Sequence, residues 1–188
     1  MSKPAVSKWK VRDLTLIALF AAIIAVCAWI TIPLPGVPFT LQVFGIFAAL
    51  CMLGGKRGTI CIALYILLGA VGLPVFSGFQ GGFGVLLGTT GGYIAGFLLS
   101  GLTFWVLSAL FKREEPWFLA GLCVLSLLVC YAFGTAWFMI VYLQKTGPIS
   151  LGVVLWKCVI RFIPFDLAKI GLAVTISHII KKRIPALV

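Results

Sequence analysis

The sequence predicts an all-α integral membrane protein, a single domain over residues 1–188 built from six transmembrane helices. Three observations carry this expectation. The chain is 62% hydrophobic and only 10% charged, with a mean hydropathy of +1.20, more apolar surface than a soluble domain of this length can hide. Its apolar stretches are long and lack the strict alternation of a strand. Inside lipid such stretches satisfy their backbone polar groups as helices, which argues against a β-barrel. The cations, finally, fall between the stretches in a regular pattern instead of gathering in one patch.

Taken in order, the predicted helices cover residues 14–32, 40–53, 59–75, 84–111, 117–143 and 164–180. A span needs about 20 residues, so the second must stand nearly upright or borrow flanking residues. The first is too long for the apolar core of a cleavable signal, and no small-residue cleavage site follows it before Thr31-Ile32-Pro33, so it is expected to stay in place. Lys3, Lys8, Lys10 and Arg12 form a short basic N-terminus over residues 1–12. Lys56 and Arg57 follow the second helix, Lys112 and Arg113 the fourth, and Lys181, Lys182 and Arg183 the sixth. Of the other connections, residues 33–39 and 76–83 carry no charge, and 144–150 carries only Lys145. By the positive-inside rule both termini and the basic loops face the cytoplasm. The net charge of +11 therefore reads as topology and not as a nucleic-acid surface.

Familiar catalytic signals are missing. Around Gly55-Lys56, Leu50 stands where a phosphate-binding loop needs its first glycine and Arg57 where it needs a hydroxyl. The glycine series Gly78, Gly81, Gly82, Gly84, Gly88 does not form a dinucleotide fingerprint, because Leu87 occupies its last position. The six cysteines make no Cys-x-x-Cys pair and read as small apolar packing residues. His178, the single histidine, sits beside Lys181, Lys182 and Arg183 in an interfacial position, and Asp13, Glu114 and Glu115 lie at helix ends. No metal site or cofactor is expected.

Asp166 differs from the other acids. It falls in the apolar stretch 163–174, where an ionised carboxylate is costly unless it is paired or faces a polar cavity. Lys169 follows at i+3, on the same helical face. Two readings stay open: the two groups simply neutralise each other as a packing device, or they present an acceptor and a triple donor to a ligand. Pro164 suits a first helical turn, which would place the positive end of the helix dipole near Asp166. Arg161 and Lys157, just before that start, can attract an anionic ligand group or anchor to lipid phosphates.

The uncharged connections add a second clue. Pro33, Pro35, Gly36 and Pro38 stiffen one that runs into Phe39-Thr40-Leu41-Gln42, and the other contains Gly78-Phe79-Gln80-Gly81-Gly82-Phe83-Gly84. Such glycine spacing lets backbone approach a ligand or fold as a lid, and Thr40, Gln42, Phe79 and Gln80 become candidate contacts. On the first helix Ala18, Ala21, Ala22 and Ala25 form overlapping small-xxx-small pairs that permit close helix approach. A neighbouring helix of this chain and a separate membrane subunit are equally good occupants of that face.

Four motifs, in order and correctly spaced, give the chain a family likeness. They are Pro33-Leu34-Pro35-Gly36-Val37-Pro38-Phe39-Thr40-Leu41-Gln42; Gly72-Leu73-Pro74-Val75-Phe76 with its glycine loop; Gly88-Thr89-Thr90-Gly91-Gly92-Tyr93 running to Gly96-Phe97; and Phe162-Ile163-Pro164-Phe165-Asp166-Leu167-Ala168-Lys169. With these the chain resembles, over nearly its whole length, the BioY family, the biotin-binding S components of energy-coupling factor (ECF) transporters. The resemblance implies a six-helix S component that takes biotin from outside a bacterial-type plasma (inner) membrane, with no catalytic chemistry. It implies that Asp166 and Lys169 contact the ligand; Thr40, Gln42, Phe79, Gln80, Gly91, Gly92, Tyr93 and Arg161 complete the set of candidate contacts. It also implies that the alanine face docks on a transmembrane coupling subunit and that two cytoplasmic ATPase subunits supply energy.

The sequence departs from the family pattern at Thr89 and Arg161, where proline is usual, and at Phe165, where glycine is usual. The last change is expected to narrow the pocket. The alternatives are an S component for another small vitamin, and an intramembrane enzyme acting on a lipid with Asp166 as acid or base.

Overall fold

A computed structural model of the chain describes residues 10–34 and 36–184. Lys3, Lys8 and Pro35 lie outside the described residues. The chain runs through α1 (Val11–Trp29), a hairpin of β1 (Thr31–Ile32) and β2 (Phe39–Thr40), α2 (Gln42–Ala70), a tight turn at Ser77–Phe79, and α3 (Phe83–Leu86). It continues through α4 (Gly91–Phe111), α5 (Pro116–Lys145), α6 (Leu151–Leu155), a wider helical stretch at Trp156–Ile160, and α7 (Ile163–Arg183).

The expected second and third helices form the single element α2, but it is not straight. Gly54 has φ +78° and ψ 169°, a conformation open to glycine and costly for other residues. Gln42 Nε2 donates to Tyr65 Oη at 2.9 Å across 23 residues, a separation of about 34 Å along an unbroken helix. The chain therefore reverses at Gly54, giving two antiparallel limbs, residues 42–53 and 55–70. Gly58 packs so tightly on the first limb that a Cβ there would lie 2.8 Å from Leu50 Cα. Counting both limbs with α1, α4, α5 and α7, six long helices build the bundle, as the sequence predicts.

Boundaries shift where turn chemistry overrides hydrophobicity. α1 ends at Trp29 because Thr31 and Ile32 leave the helix to pair with Thr40 and Phe39. The second limb stops at Ala70, two residues before the positive φ of Gly72, and not at residue 75. The expected helix 84–111 is divided: α3 ends at Leu86 and α4 begins at Gly91. Residues 151–160, left without a helix by the sequence, are helical.

Among the described residues four helices, α1, α2, α4 and α5, are long and apolar enough to cross a membrane. α7 carries Asp166 in its first turn and a basic last turn. The first limb of α2 is the central post of the bundle: Ile46, Phe47, Ala49 and Leu50 have no exposed surface. At its far end Arg57 Nη2 lies 3.2 Å from Asp13 Oδ2, tying the α2 reversal to the start of α1.

The alanine stripe of α1 divides. Ala21 and Ala25 are 2% and 5% exposed, and α1 meets α2 so closely that a Cβ on Gly45 would sit 3.2 Å from Ile24 Cα. Ala18 and Ala22, about 60° further round the helix, are exposed. The expectation that all four meet one outside partner is thus corrected: α2 packs over the Ala21 and Ala25 edge of the stripe and leaves the Ala18 and Ala22 edge uncovered.

Candidate functional site

α7 begins with Ile163 and Pro164, so Asp166 and Lys169 occupy its first two turns and point inward, 3% and 7% exposed. Lys169 Nζ donates to Asp166 Oδ1 at 2.7 Å and to the backbone carbonyl of Thr40 at 2.7 Å. The ammonium also sits 4.0 Å from the centroid of the Phe39 ring, a cation–π contact. The other carboxylate oxygen, Oδ2, accepts from Tyr131 Oη at 2.5 Å. One buried charge pair thus joins α7, the β-hairpin and the middle of α5.

This pair forms part of the wall of a cavity of about 340 Å³, within the size range of small-molecule sites. Thr31, Val37 and Pro38 of the hairpin, with Thr40 and Gln42, close one side. Phe76, Ser77 and Gln80 close another, while Tyr93, Phe97, Leu127 and Tyr131 line the helical side. The wall is mostly apolar and aromatic with few polar groups, the usual character of a pocket that orients a compact ligand. A carboxylate can accept about four hydrogen bonds, and Asp166 holds one on each oxygen. The arrangement therefore suits a neutral group with adjacent N–H donors and a carbonyl, attached to apolar bulk.

The two outer connections are held in shape. Leu41 N–H donates to Ile30 O at 3.1 Å beyond the strand pairing, and Thr31 Oγ1 lies 3.0 Å from Ser77 Oγ, linking the hairpin to the glycine loop. In that loop Phe76 N–H donates to Gln80 O at 2.9 Å, and Gly82 N–H to Gly69 O at 2.7 Å. Gly69 gives room for the Phe76 ring, whose Cζ would lie 2.1 Å from any Cβ there. Gln42 reaches the same ring layer through Tyr65, whose hydroxyl donates to Val75 O at 3.1 Å.

Of the residues singled out from sequence, Asp166, Lys169, Thr40, Gln42, Gln80 and Tyr93 meet at the cavity. Phe79, Gly91, Gly92 and Arg161 do not line it. Phe79 is 63% exposed and stacks on Trp29 with centroids 5.1 Å apart. Gly91 and Gly92 are spacers: Cβ atoms there would come 1.8 Å from Leu86 O and 2.2 Å from Trp137 Cβ. The Arg161 guanidinium lies over the Phe162 ring at 5.5 Å. Phe165 is 56% exposed and packs edge-on against Phe39, centroids 5.4 Å apart, so it buttresses the hairpin from outside and does not narrow the pocket. Sequence reasoning missed Tyr131 and Phe39. Tyr131 lies in a small and polar stripe of α5 with Ser126, Cys130, Gly134 and Thr135, all buried, a signal that marks an inward face without marking its target.

Known proteins resemble the chain over nearly its whole length. The chain is 43% identical over 172 residues to the biotin transporter BioY of Thermotoga maritima, covering 91% of this chain and 96% of that protein. It is 38% identical over 169 residues to a probable biotin transporter BioY of Pyrococcus horikoshii, covering 90% and 96%. A crystal structure of the S component for biotin from an ECF-type ABC transporter superposes with a TM-score of 0.81 at 28% identity, covering 95% of both chains. The sequence profile of the BioY family matches residues 1–186, and the chain belongs to that family.

Proposed function

We propose that the chain is the S component of an ECF-type transporter and captures biotin through Asp166 and Lys169. The observation that carries this reading is the buried carboxylate–ammonium pair on the wall of an apolar cavity. The ureido ring of biotin offers two N–H donors, which the remaining acceptor sites of Asp166 fit, and a carbonyl, which the Lys169 ammonium fits. The sulfur ring and valerate chain match the aromatic wall of Tyr93, Phe97 and Phe76 and the aliphatic Ile94 and Leu127. The proteins similar to this chain over nine-tenths of its length are named as transporters, so transport is favoured over an intramembrane enzyme using Asp166 as acid or base.

The exposed pair Ala18 and Ala22 is the face of α1 offered to a transmembrane coupling subunit, and two cytoplasmic ATPases would drive the cycle. The basic end of the bundle faces the cytoplasm of a bacterial-type inner membrane, on the strength of Lys56, Arg57, Lys112, Arg113 and the last turn of α7. A single cysteine placed at Glu115 in a cysteine-free background tests this: a membrane-impermeant maleimide should label it only after the inner face is opened. Labelling of intact cells would reverse the topology.

The decisive assay is calorimetric titration of biotin into the purified protein in nanodiscs, where saturable 1:1 binding is expected. A folded protein that ignores biotin but binds another small vitamin would move the assignment to that ligand. Tyr131→Phe removes one hydrogen bond to the Asp166 carboxylate without changing the ring. The bond is formed without ligand, so its loss should lower stability by about 1.5–3 kcal/mol, and biotin affinity should fall severalfold as the carboxylate loses its fixed orientation. Unchanged affinity would show that Tyr131 only fills space.

A further inference from the structure

The opposite end of the bundle carries two adjoining clefts of about 380 and 270 Å³, which share Cys51, Glu114, Leu119 and Lys181. Their cations come from separate elements: Lys112 and Arg113 just beyond α4, and Lys181 and Lys182 in the last turn of α7, with His178 one turn earlier. Glu114 is the one carboxylate of the linings, so the local balance is strongly positive. Pro116, first residue of the 30-residue helix α5, also lines the smaller cleft, which turns the positive end of that helix dipole towards it.

A neutral donor completes the set. Ser177 is 3% exposed, lines the smaller cleft, and its hydroxyl has no hydrogen-bond partner among the described residues. A buried hydroxyl without a partner is costly, and here it adjoins a cleft rich in positive charge. Deeper walls are apolar, with Leu50, Phe104 and Trp105 on one side and Val174 on the other. The clefts thus grade from cationic at the rim to hydrocarbon inside the bundle.

We propose that these joined clefts bind the phosphodiester headgroup of an anionic phospholipid. Lys181 and Lys182 meet the phosphate charge, Ser177 donates to one of its oxygens, and the apolar wall receives the start of an acyl chain. Basic pockets between transmembrane helices are the general form of such sites. A soluble phosphate would use the cations but leave the apolar wall without a partner. The proposal does not depend on biotin being the cargo.

The test is thermal unfolding of the purified full chain in dodecyl maltoside with dioctanoyl phosphatidylglycerol, the matching phosphatidylcholine, or inorganic phosphate. Phosphatidylglycerol should raise the melting temperature by about 5 °C, through preferential binding to the folded state, with little effect from the other two. Ser177→Ala, and separately the pair Lys181→Gln and Lys182→Gln, should each lose at least half of the rise. Lys145→Gln, at the far end of α5, should keep it. If the lysine pair does not fold, Ser177→Ala alone decides. Equal rises with both lipids, or a full rise in Ser177→Ala, would overturn the site, and a rise with inorganic phosphate would overturn its assignment to lipid.

Discussion

Asp166→Asn is expected to weaken biotin binding by roughly a hundredfold or more, the loss of about 3 kcal/mol that follows when the charge-assisted hydrogen bonds from the two ureido N–H groups to the carboxylate are given up. Asparagine keeps the volume but supplies one acceptor oxygen where Tyr131 and Lys169 each hold their own. It also leaves the Lys169 ammonium, 7% exposed, without its counter-charge. The protein should therefore melt earlier as well, so the packing and ligand roles of the pair have to be separated. Combining Asp166→Asn with Lys169→Met removes both charges, and a buried pair replaced together is often neutral for stability. The double variant should recover most of the melting temperature and none of the biotin affinity in calorimetry. Recovery of both would mean that the pair is a packing device alone.

Gly134→Ala should cost about 2 kcal/mol of stability and lower the melting temperature by about 4–8 °C, a methyl group forced into a filled space. Its Cβ would lie 2.2 Å from Cδ1 of Tyr93. That ring has little freedom to move, being 7% exposed with its hydroxyl 3.2 Å from Thr135 Oγ1. It is held between α5 and the cavity that it lines. Retreat of the ring into the cavity would weaken biotin binding together with stability. Gly121 gives the matched control on the same helix, since a Cβ there meets nothing within 4 Å. Gly121→Ala should leave binding intact and gain up to about 1 kcal/mol from helix propensity. Equal melting temperatures for the two variants would show that α4 and α5 part easily at Tyr93.

These contrasts bear on what a sequence can disclose. Asp166 and Lys169 were legible because charge inside an apolar stretch is expensive, and a spacing of three fixes both on one helical face. The long helices were legible from apolar length, and the α2 reversal from Gly54-Gly55-Lys56-Arg57. Glycine was ambiguous in a way composition cannot resolve. Gly91 and Gly92 looked like room for a ligand and are room for Leu86 and Trp137, because only the neighbouring helix decides what uses a missing side chain. Aromatic residues were similarly silent. Phe79 faces out while Phe76, three residues earlier, is 1% exposed, an inversion produced by the positive φ of Gly78 and Phe79. The segment 151–160 was missed because a short helix that widens at Trp156–Ile160 has no long apolar run to announce it.

The first limb of α2 has a consequence for ligand choice. At 12 residues, 42–53, it is about 18 Å tall, against a hydrocarbon thickness of about 30 Å. Being the central post, it begins at the cavity, whose lining includes Gln42 and Val43 of its first turn and Thr40 just before it. The room in the cavity therefore depends on where one helix starts as well as on which side chains line it. Each added turn would carry that end about 5.4 Å further, so within this architecture helix length acts as a ruler for the longest molecule the cavity can hold.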